Sequence, residues 1–289
     1  MPDSVPASGS SDAGSPVSVT PNNLVLRIVS AALLAPLALF VAWLGGWPFA
    51  LFWGAAAIVV LWEWTRLVAG PRHWLMLSSC ASAIAVAALV AWRDRPIAGI
   101  FLVGLGTLAA TIFAPRERRF WIVAGIGYAG TMLLAPMLLR ADMHYGFLAM
   151  VLLFAIVWAT DIFAYFAGRA IGGPKLSIAI SPKKTWAGAI AGALGAIVVA
   201  VAVAGMLGSV DAGTIVVIAL VLSVCAQLGD LLESWIKRRF GIKDASGLIP
   251  GHGGVMDRLD GFWAAALAAC LVGLLRGGFD NAARGLLVW

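Results

Sequence analysis

Nine apolar stretches, each close to the roughly 20 residues that carry an α-helix across a bilayer, dominate this chain of 289 residues. They cover approximately 24–45, 47–65, 74–92, 97–114, 120–139, 147–168, 187–208, 214–232 and 261–276, the fourth and ninth being short. In hydrocarbon, backbone N–H and C=O groups find no water, so each run must close its hydrogen bonds within a helix. The expected fold is an all-α polytopic membrane protein with about nine transmembrane helices. Composition agrees: 62% of residues are hydrophobic and 12% are charged, whereas an ordinary soluble domain has about 25% charged. A soluble globule is excluded. Only Gly45–Gly46 separates the first two runs, which demands a tight turn.

Residues 1–22 are rich in Ser, Pro, Gly and Asp and contain no Lys or Arg, so they read as a disordered tail and not as a signal peptide. The remainder divides into amino-terminal helices over 23–146 and a second region, 147–289. The second region holds the long polar connections 169–186 and 233–260. Cys80, Cys225 and Cys270 all sit inside apolar runs and read as small hydrophobic fillers.

With nine crossings the connections alternate sides. Arg93, Arg95, Arg140, Arg276 and Arg284 fall on one side, and the other fifteen of the twenty Lys and Arg fall on the opposite side. Basic residues accumulate in cytoplasmic loops. The amino terminus and both long connections are therefore expected in the cytoplasm, and the net charge of +6 does not signal a nucleic-acid partner.

Three acids, Glu63, Asp161 and Asp230, lie inside the runs, each toward the cytoplasmic end. Intramembrane acids are costly and usually functional. A transport pathway would scatter them through the depth of the bilayer, whereas this clustering points to a reaction or binding site at the inner interface. Glu63, between Trp62 and Trp64, reads equally well as an interfacial anchor. Asp161, Tyr165 and Arg169 share a helix face, as do Gln227, Asp230 and Ser234, with Lys237 and Arg238 following.

The two connections supply phosphate chemistry. Ser181–Pro182–Lys183–Lys184–Thr185 brings hydroxyls and cations to the expected start of the seventh helix, where free N–H groups already favour anions. Pro250–Gly251–His252–Gly253–Gly254 is too flexible for a helix, and such a loop can wrap phosphates with backbone N–H groups. Asp257 and Asp260 follow at i and i+3, hard oxygens of the kind that hold Mg²⁺ together with substrate phosphates, and Arg258 between them suits phosphate.

These residues together resemble the phosphatidate cytidylyltransferase (CDP-diacylglycerol synthase) family. The signature runs Ser234, Lys237–Arg238, Lys243–Asp244, Pro250–Gly251–His252–Gly253–Gly254 and Asp257–Arg258–Leu259–Asp260. Asp161–Tyr165, Ser181–Trp186 and Gln227–Asp230 agree with further family segments, so the motif-bearing likeness covers about 155–262. Ala187 and Pro174 depart from it, where the family often has Glu or Gln and a basic residue respectively.

The resemblance implies transfer of a cytidylyl group from CTP to phosphatidic acid, with Mg²⁺ as cofactor and room for a second ion. It implies Asp230 and Asp257 as the leading metal ligands, with Asp260 and Asp161 as further candidates. Lys183, Lys184 and Arg258 are then expected to neutralise phosphates during the reaction. Ser181, Thr185, Ser234, Lys237, Arg238, Lys243, Gly251, His252, Gly253 and Gly254 are expected to bind substrate. The expected setting is the cell membrane (the inner one in a double-membrane bacterium), among membrane lipids, and a homodimer is compatible with it.

Overall fold

The computed structural model describes residues 21–69, 74–93, 96–207, 211–249 and 253–289. Among these residues ten α-helices follow in order: α1 (Pro21–Leu44), α2 (Gly46–Ala69), α3 (Trp74–Trp92), α4 (Pro96–Phe113), α5 (Arg119–Arg140), α6 (Gly146–Ala170), α7 (Trp186–Leu207), α8 (Ala212–Arg239), α9 (Met256–Gly277) and α10 (Ala282–Leu287). The nine apolar runs fall on α1 to α9. Six helices, α2 and α5 to α9, are long and apolar enough to cross a membrane, and shorter apolar segments lie at Val29–Leu44, Leu77–Trp92 and Ile97–Ile112. Nearly all of the expected tail, and the basic residues Arg72 and Arg95, lie outside the described residues.

Three features differ from the sequence expectation. The fold is not purely helical: β1 (Lys175–Ser177) and β2 (Ser181–Thr185) form an antiparallel hairpin between α6 and α7. α9 begins at Met256, five residues before the apolar run, so Asp257 and Asp260 sit in its first turns. A short carboxy-terminal helix, α10, packs against α9, and Arg276 donates to Gly285 O at 2.9 Å.

The turn between α1 and α2 forms as the glycine pair requires, with φ of +63° at Gly45 and +54° at Gly46. A Cβ on Gly45 would stand 2.6 Å from Arg140 Nη2, because the Arg140 guanidinium donates there to Ala42 O and Trp43 O at the end of α1. Free carbonyls at a helix end need such donors. Buried Asp142 joins the same end of the bundle, accepting from Tyr145 N at 2.9 Å and Arg284 N at 3.1 Å. Asp211 caps α8 by accepting from Thr214 N at 2.9 Å, and this bond holds its carboxyl below the usual carboxylate range.

At the opposite end, Arg118 donates to Val68 O, joining the end of α2 to the start of α5. Trp121 of α5 lies against Trp235 and Phe240 at the end of α8. The ends of α2 and α8 and the start of α5 thus share one end of the bundle, and Arg66, Arg116, Arg118, Arg119 and Lys237–Arg239 gather there.

Close helix crossings bring the acids together. Lipid offers no hydrophobic drive for helix association, so small residues that admit backbone contact carry it. Gly188 and Gly192 of α7 lie on α6: an added Cβ would be 2.8 Å from Ala164 O and Thr160 O respectively. At the α8–α9 crossing, a Cβ on Gly229 would be 2.6 Å from Asp260 O, and one on Gly261 would be 3.3 Å from Ala226 O. Each glycine adjoins an acid, so the crossing that needs Gly229 and Gly261 also sets Asp230 beside Asp260.

Candidate active site

Two cavities converge on one carboxylate. The first, about 480 Å³, is polar and lies among α6, the hairpin, α7 and α8; Asp161, Arg169, Lys175, Lys183, Lys184 and Asp230 are among its lining residues. The second, about 800 Å³, is an apolar groove walled by α1, α2, α6 and α9, and Asp161 and Arg258 are its charged residues. Asp161 lines both.

The helix faces read from the sequence are formed. Tyr165 and Arg169 line the polar cavity with Asp161, and Arg169 reaches the Tyr165 hydroxyl at 3.4 Å. Gln227 and Asp230 line it from α8, and Ser234 donates to Asp230 Oδ1 at 3.4 Å. A buried polar ladder supports this wall: Thr160 donates to Ser223 Oγ at 2.8 Å, and Gln227 Nε2 donates to Ala189 O at 3.3 Å.

The lysines come from the hairpin and not from the first turn of α7. Lys183 and Lys184 lie on β2, and Lys184 forms an ion pair with Asp230. Thr185 is buried and its Oγ1 accepts from Gly188 N at 3.1 Å, so it caps α7 while also lining the cavity. Ser181 pairs with Ser177 in the hairpin register.

Asp161, Asp230 and Asp260 are near enough to interact electrostatically, and Lys184 acts on both Asp161 and Asp260, with Arg258 acting on Asp161. Among the described residues, no three His, Cys, Asp or Glu side chains form a group that could hold a metal ion by themselves. Asp161, Asp230 and Asp260 offer hard oxygens, and Mg²⁺ commonly takes one or two carboxylates with water and substrate phosphate oxygens in its remaining positions.

Asp257 is engaged differently. Its carboxylate accepts from Lys237 Nζ at 2.7 Å, from Ala245 N at 3.0 Å and from Gly254 N at 2.7 Å. Ala245 N reaches both carboxylate oxygens and Glu233 bonds to Asp257 as well, so the roughly four acceptor positions of this carboxylate are taken up within the protein, and Asp257 lines neither cavity. Lys237 also pairs with Glu233 at 2.8 Å, and Glu233 is only 1% exposed. Glu233 carries one local sequence signal, an acid four residues before a lysine on one helix.

The glycine loop departs most from expectation. Gly253 N donates to Ile249 O at 3.2 Å, Gly254 N donates to Asp257, and Val255 N and Met256 N donate to Glu63 at 2.9 and 2.7 Å. The described N–H groups of the loop are thus bound within the protein and do not face a phosphate. Gly251 and His252 lie outside the described residues. Glu63 is fully buried and is no interfacial anchor. Arg238 is exposed and donates to Ile242 O at 3.2 Å, closing the end of α8, and Lys243 is exposed.

A profile of the Cytidylyltransferase family matches residues 25–275. A phosphatidate cytidylyltransferase of Brucella abortus is 41% identical over 263 residues, covering 88% of this chain and 94% of that protein. Proteins of the same name from Pseudomonas aeruginosa and Haemophilus influenzae are 35% and 31% identical, covering 83% and 82% of this chain and 93% and 92% of their own lengths. The chain belongs to the Cytidylyltransferase family.

Proposed function

We propose that this protein transfers the cytidylyl group of CTP to phosphatidic acid, forming CDP-diacylglycerol and pyrophosphate. The observation that carries the proposal is the position of Asp161, on the shared wall of a polar cavity edged by lysines and an apolar groove. The triphosphate belongs in the first, beside Lys183, Lys184 and Lys175. The acyl chains belong in the second, with the phosphate monoester at its Asp161 and Arg258 end.

The chemistry follows from that placement. A phosphatidate oxygen attacks the α-phosphorus of CTP, a new P–O bond forms, and the bond from the α-phosphorus to the bridging oxygen breaks in line to release pyrophosphate. The nucleophile is already an anion, so no catalytic Ser or Cys is needed. The barrier lies in bringing two polyanions together, and preorganised positive charge lowers such barriers most. Lys183 and Lys184 meet the triphosphate and Arg258 meets the lipid phosphate. Asp230, with Asp161 and Asp260 close by, would hold Mg²⁺. A bound Mg²⁺ would neutralise phosphate oxygens and polarise the phosphorus under attack.

Nine crossings with the site facing the cytoplasm suit this reading. Basic residues stand at the ends of α2, α6 and α8 and the start of α5, and such residues favour cytoplasmic loops, which supports that orientation. CTP is there, and the phosphatidate headgroup lies at the adjoining bilayer surface, so the protein acts within the cell membrane.

The test uses detergent-purified protein with labelled CTP, phosphatidate vesicles and Mg²⁺. Labelled CDP-diacylglycerol is expected, with loss of product on chelation by EDTA and recovery when Mg²⁺ is restored. Failure to form it from active lipid overturns the assignment. The groove has its own test. Ala56→Trp fills the wall of α2 and is expected to raise the KM for phosphatidate about 10-fold, the scale of one or two kcal/mol of lost apolar contact. The KM for CTP should not move.

A further inference from the structure

We propose that Glu63 is a positioning residue for the reaction: from α2 it clasps both legs of the connection 240–255 and so sets the first turn of α9, where Asp257 and Arg258 stand. The role rests on the transferase reading. Glu63 itself lines neither cavity and acts only through the connection.

Three donors converge on its buried carboxylate. From the first leg, Ser246 Oγ donates to Oε1 at 2.5 Å. From the second leg, Val255 N donates to Oε1 at 2.9 Å and Met256 N to Oε2 at 2.7 Å. The last two are at the amino terminus of α9, whose opening N–H groups have no partner inside the helix. Those of Val255 and Met256 are met by a side chain from 192 and 193 residues earlier in the chain.

Asp257 repeats the pattern from inside the loop. It accepts from Ala245 N on the first leg and Gly254 N on the second. Two carboxylates therefore bridge the same two legs, and the Ile249–Gly253 bridge closes the tip between them.

The glycines fit this clasp. A Cβ on Gly254 would stand 2.5 Å from Glu63 Oε1, and one on Gly253, whose φ is +85°, would stand 2.7 Å from Asp257 Oδ2. Each carboxylate occupies the space that a side chain would need. The adjacent glycines are thus required for the legs to approach Glu63 and Asp257, independently of any phosphate. The same α2 also walls the apolar groove through Phe52, Ala56 and Val59, which places the groove and the clasp on one rigid element.

The test is run on the full chain in detergent, measuring kcat, both KM values, thermal midpoint and the rate of trypsin cleavage after Lys243. Glu63→Gln turns one acceptor into a donor facing backbone N–H groups. It is expected to lower kcat about 100-fold, the scale of a displacement near 1 Å at a reacting group, with both KM values within about three-fold. Glu63→Asp keeps two acceptors and is expected to restore part of that loss. Ser246→Ala removes only the first-leg bond and is expected to lower kcat about five-fold, near 1 kcal/mol.

Gly254→Ala should lower kcat strongly in the parent chain, yet by less than about two-fold in a Glu63→Ala background, where the obstructing oxygen is gone. Equal losses from Gly254→Ala in both backgrounds would overturn the clasp. So would a parent-like kcat per folded molecule in both Glu63→Asp and Ser246→Ala, should Glu63→Gln not fold. Trypsin cleavage after Lys243 is expected to quicken in Glu63→Gln, a readout that needs no turnover. A parent chain that makes no CDP-diacylglycerol while this cleavage still quickens would sink the transferase reading and leave the clasp standing.

Discussion

Asp230→Asn is expected to cut turnover at least about 100-fold to 1000-fold, the usual cost of removing one group that stabilises transition-state charge, while the thermal midpoint stays near that of the parent. The reason for this separation is where the side chain sits. Asp230 is 36% exposed to the polar cavity and its ion-pair partner is Lys184, itself 27% exposed. Partly exposed pairs of this kind contribute about 0–1 kcal/mol to stability. Asn keeps the shape and can still accept from Ser234, so packing at the Gly229 crossing is undisturbed. What is lost is one negative charge facing the triphosphate and the ion that accompanies it. Turnover within about 10-fold of the parent, measured with saturating CTP, phosphatidate and Mg²⁺, would remove Asp230 from the site.

The features legible in the sequence are those with a local period. Apolar runs near 20 residues fell on helices, and Asp161, Tyr165 and Arg169 fell on one face because their spacing is that of a helix. Gln227 and Asp230 reached the same cavity for the same reason. Their convergence with Lys183 and Lys184 needed the chain to return through α7, which the motif order alone suggested. Three readings failed, and at Glu63 and Gly254 the determining partner is distant in the chain. Thr185 and the lysines suited a helix start, but a five-residue strand with no hydrophobic alternation carried them, and Thr185 became the cap. Gly253 and Gly254 suited a phosphate cradle, but their neighbours are the carboxylates of Asp257 and Glu63. Glu63 itself, between two tryptophans, had no local signal to separate an anchor from a buried acceptor of three bonds. Its partners lie 183 to 193 residues later.

This division has a physical basis. A helix face is fixed by 3.6-residue geometry, so it is visible in any window of the chain. A buried carboxylate is tolerated only if donors surround it, and here two of the three donors are backbone N–H groups, which every residue but proline possesses. The sequence therefore shows that Glu63 is inside the membrane run but not what it holds.

Asp257→Asn is the counterpart of the first substitution, and the contrast between the two is sharper than either alone. Asp257 is 6% exposed, and its partner Lys237 is 11% exposed and shared with buried Glu233. Removing one member of a buried ion pair typically costs about 3–5 kcal/mol, because the surviving charge remains buried. Asn would also turn an amide N–H₂ toward donors: Lys237 Nζ, Ala245 N and Gly254 N cannot all be satisfied by its single oxygen. Asp257→Asn is therefore expected to lower the thermal midpoint by several degrees, as a loss of about 3 kcal/mol does in a domain of this size, and to abolish turnover as the loop leaves its place. Asp230→Asn should lose turnover alone. The measurement is a pair of melting curves and a pair of rates from the same preparations. If Asp257→Asn keeps the parent midpoint and loses only its rate, its carboxylate serves the ion and not the loop. If it keeps both, neither role holds, and the loop is held by Glu63 through Ser246, Val255 and Met256 without help from the Asp257 carboxylate.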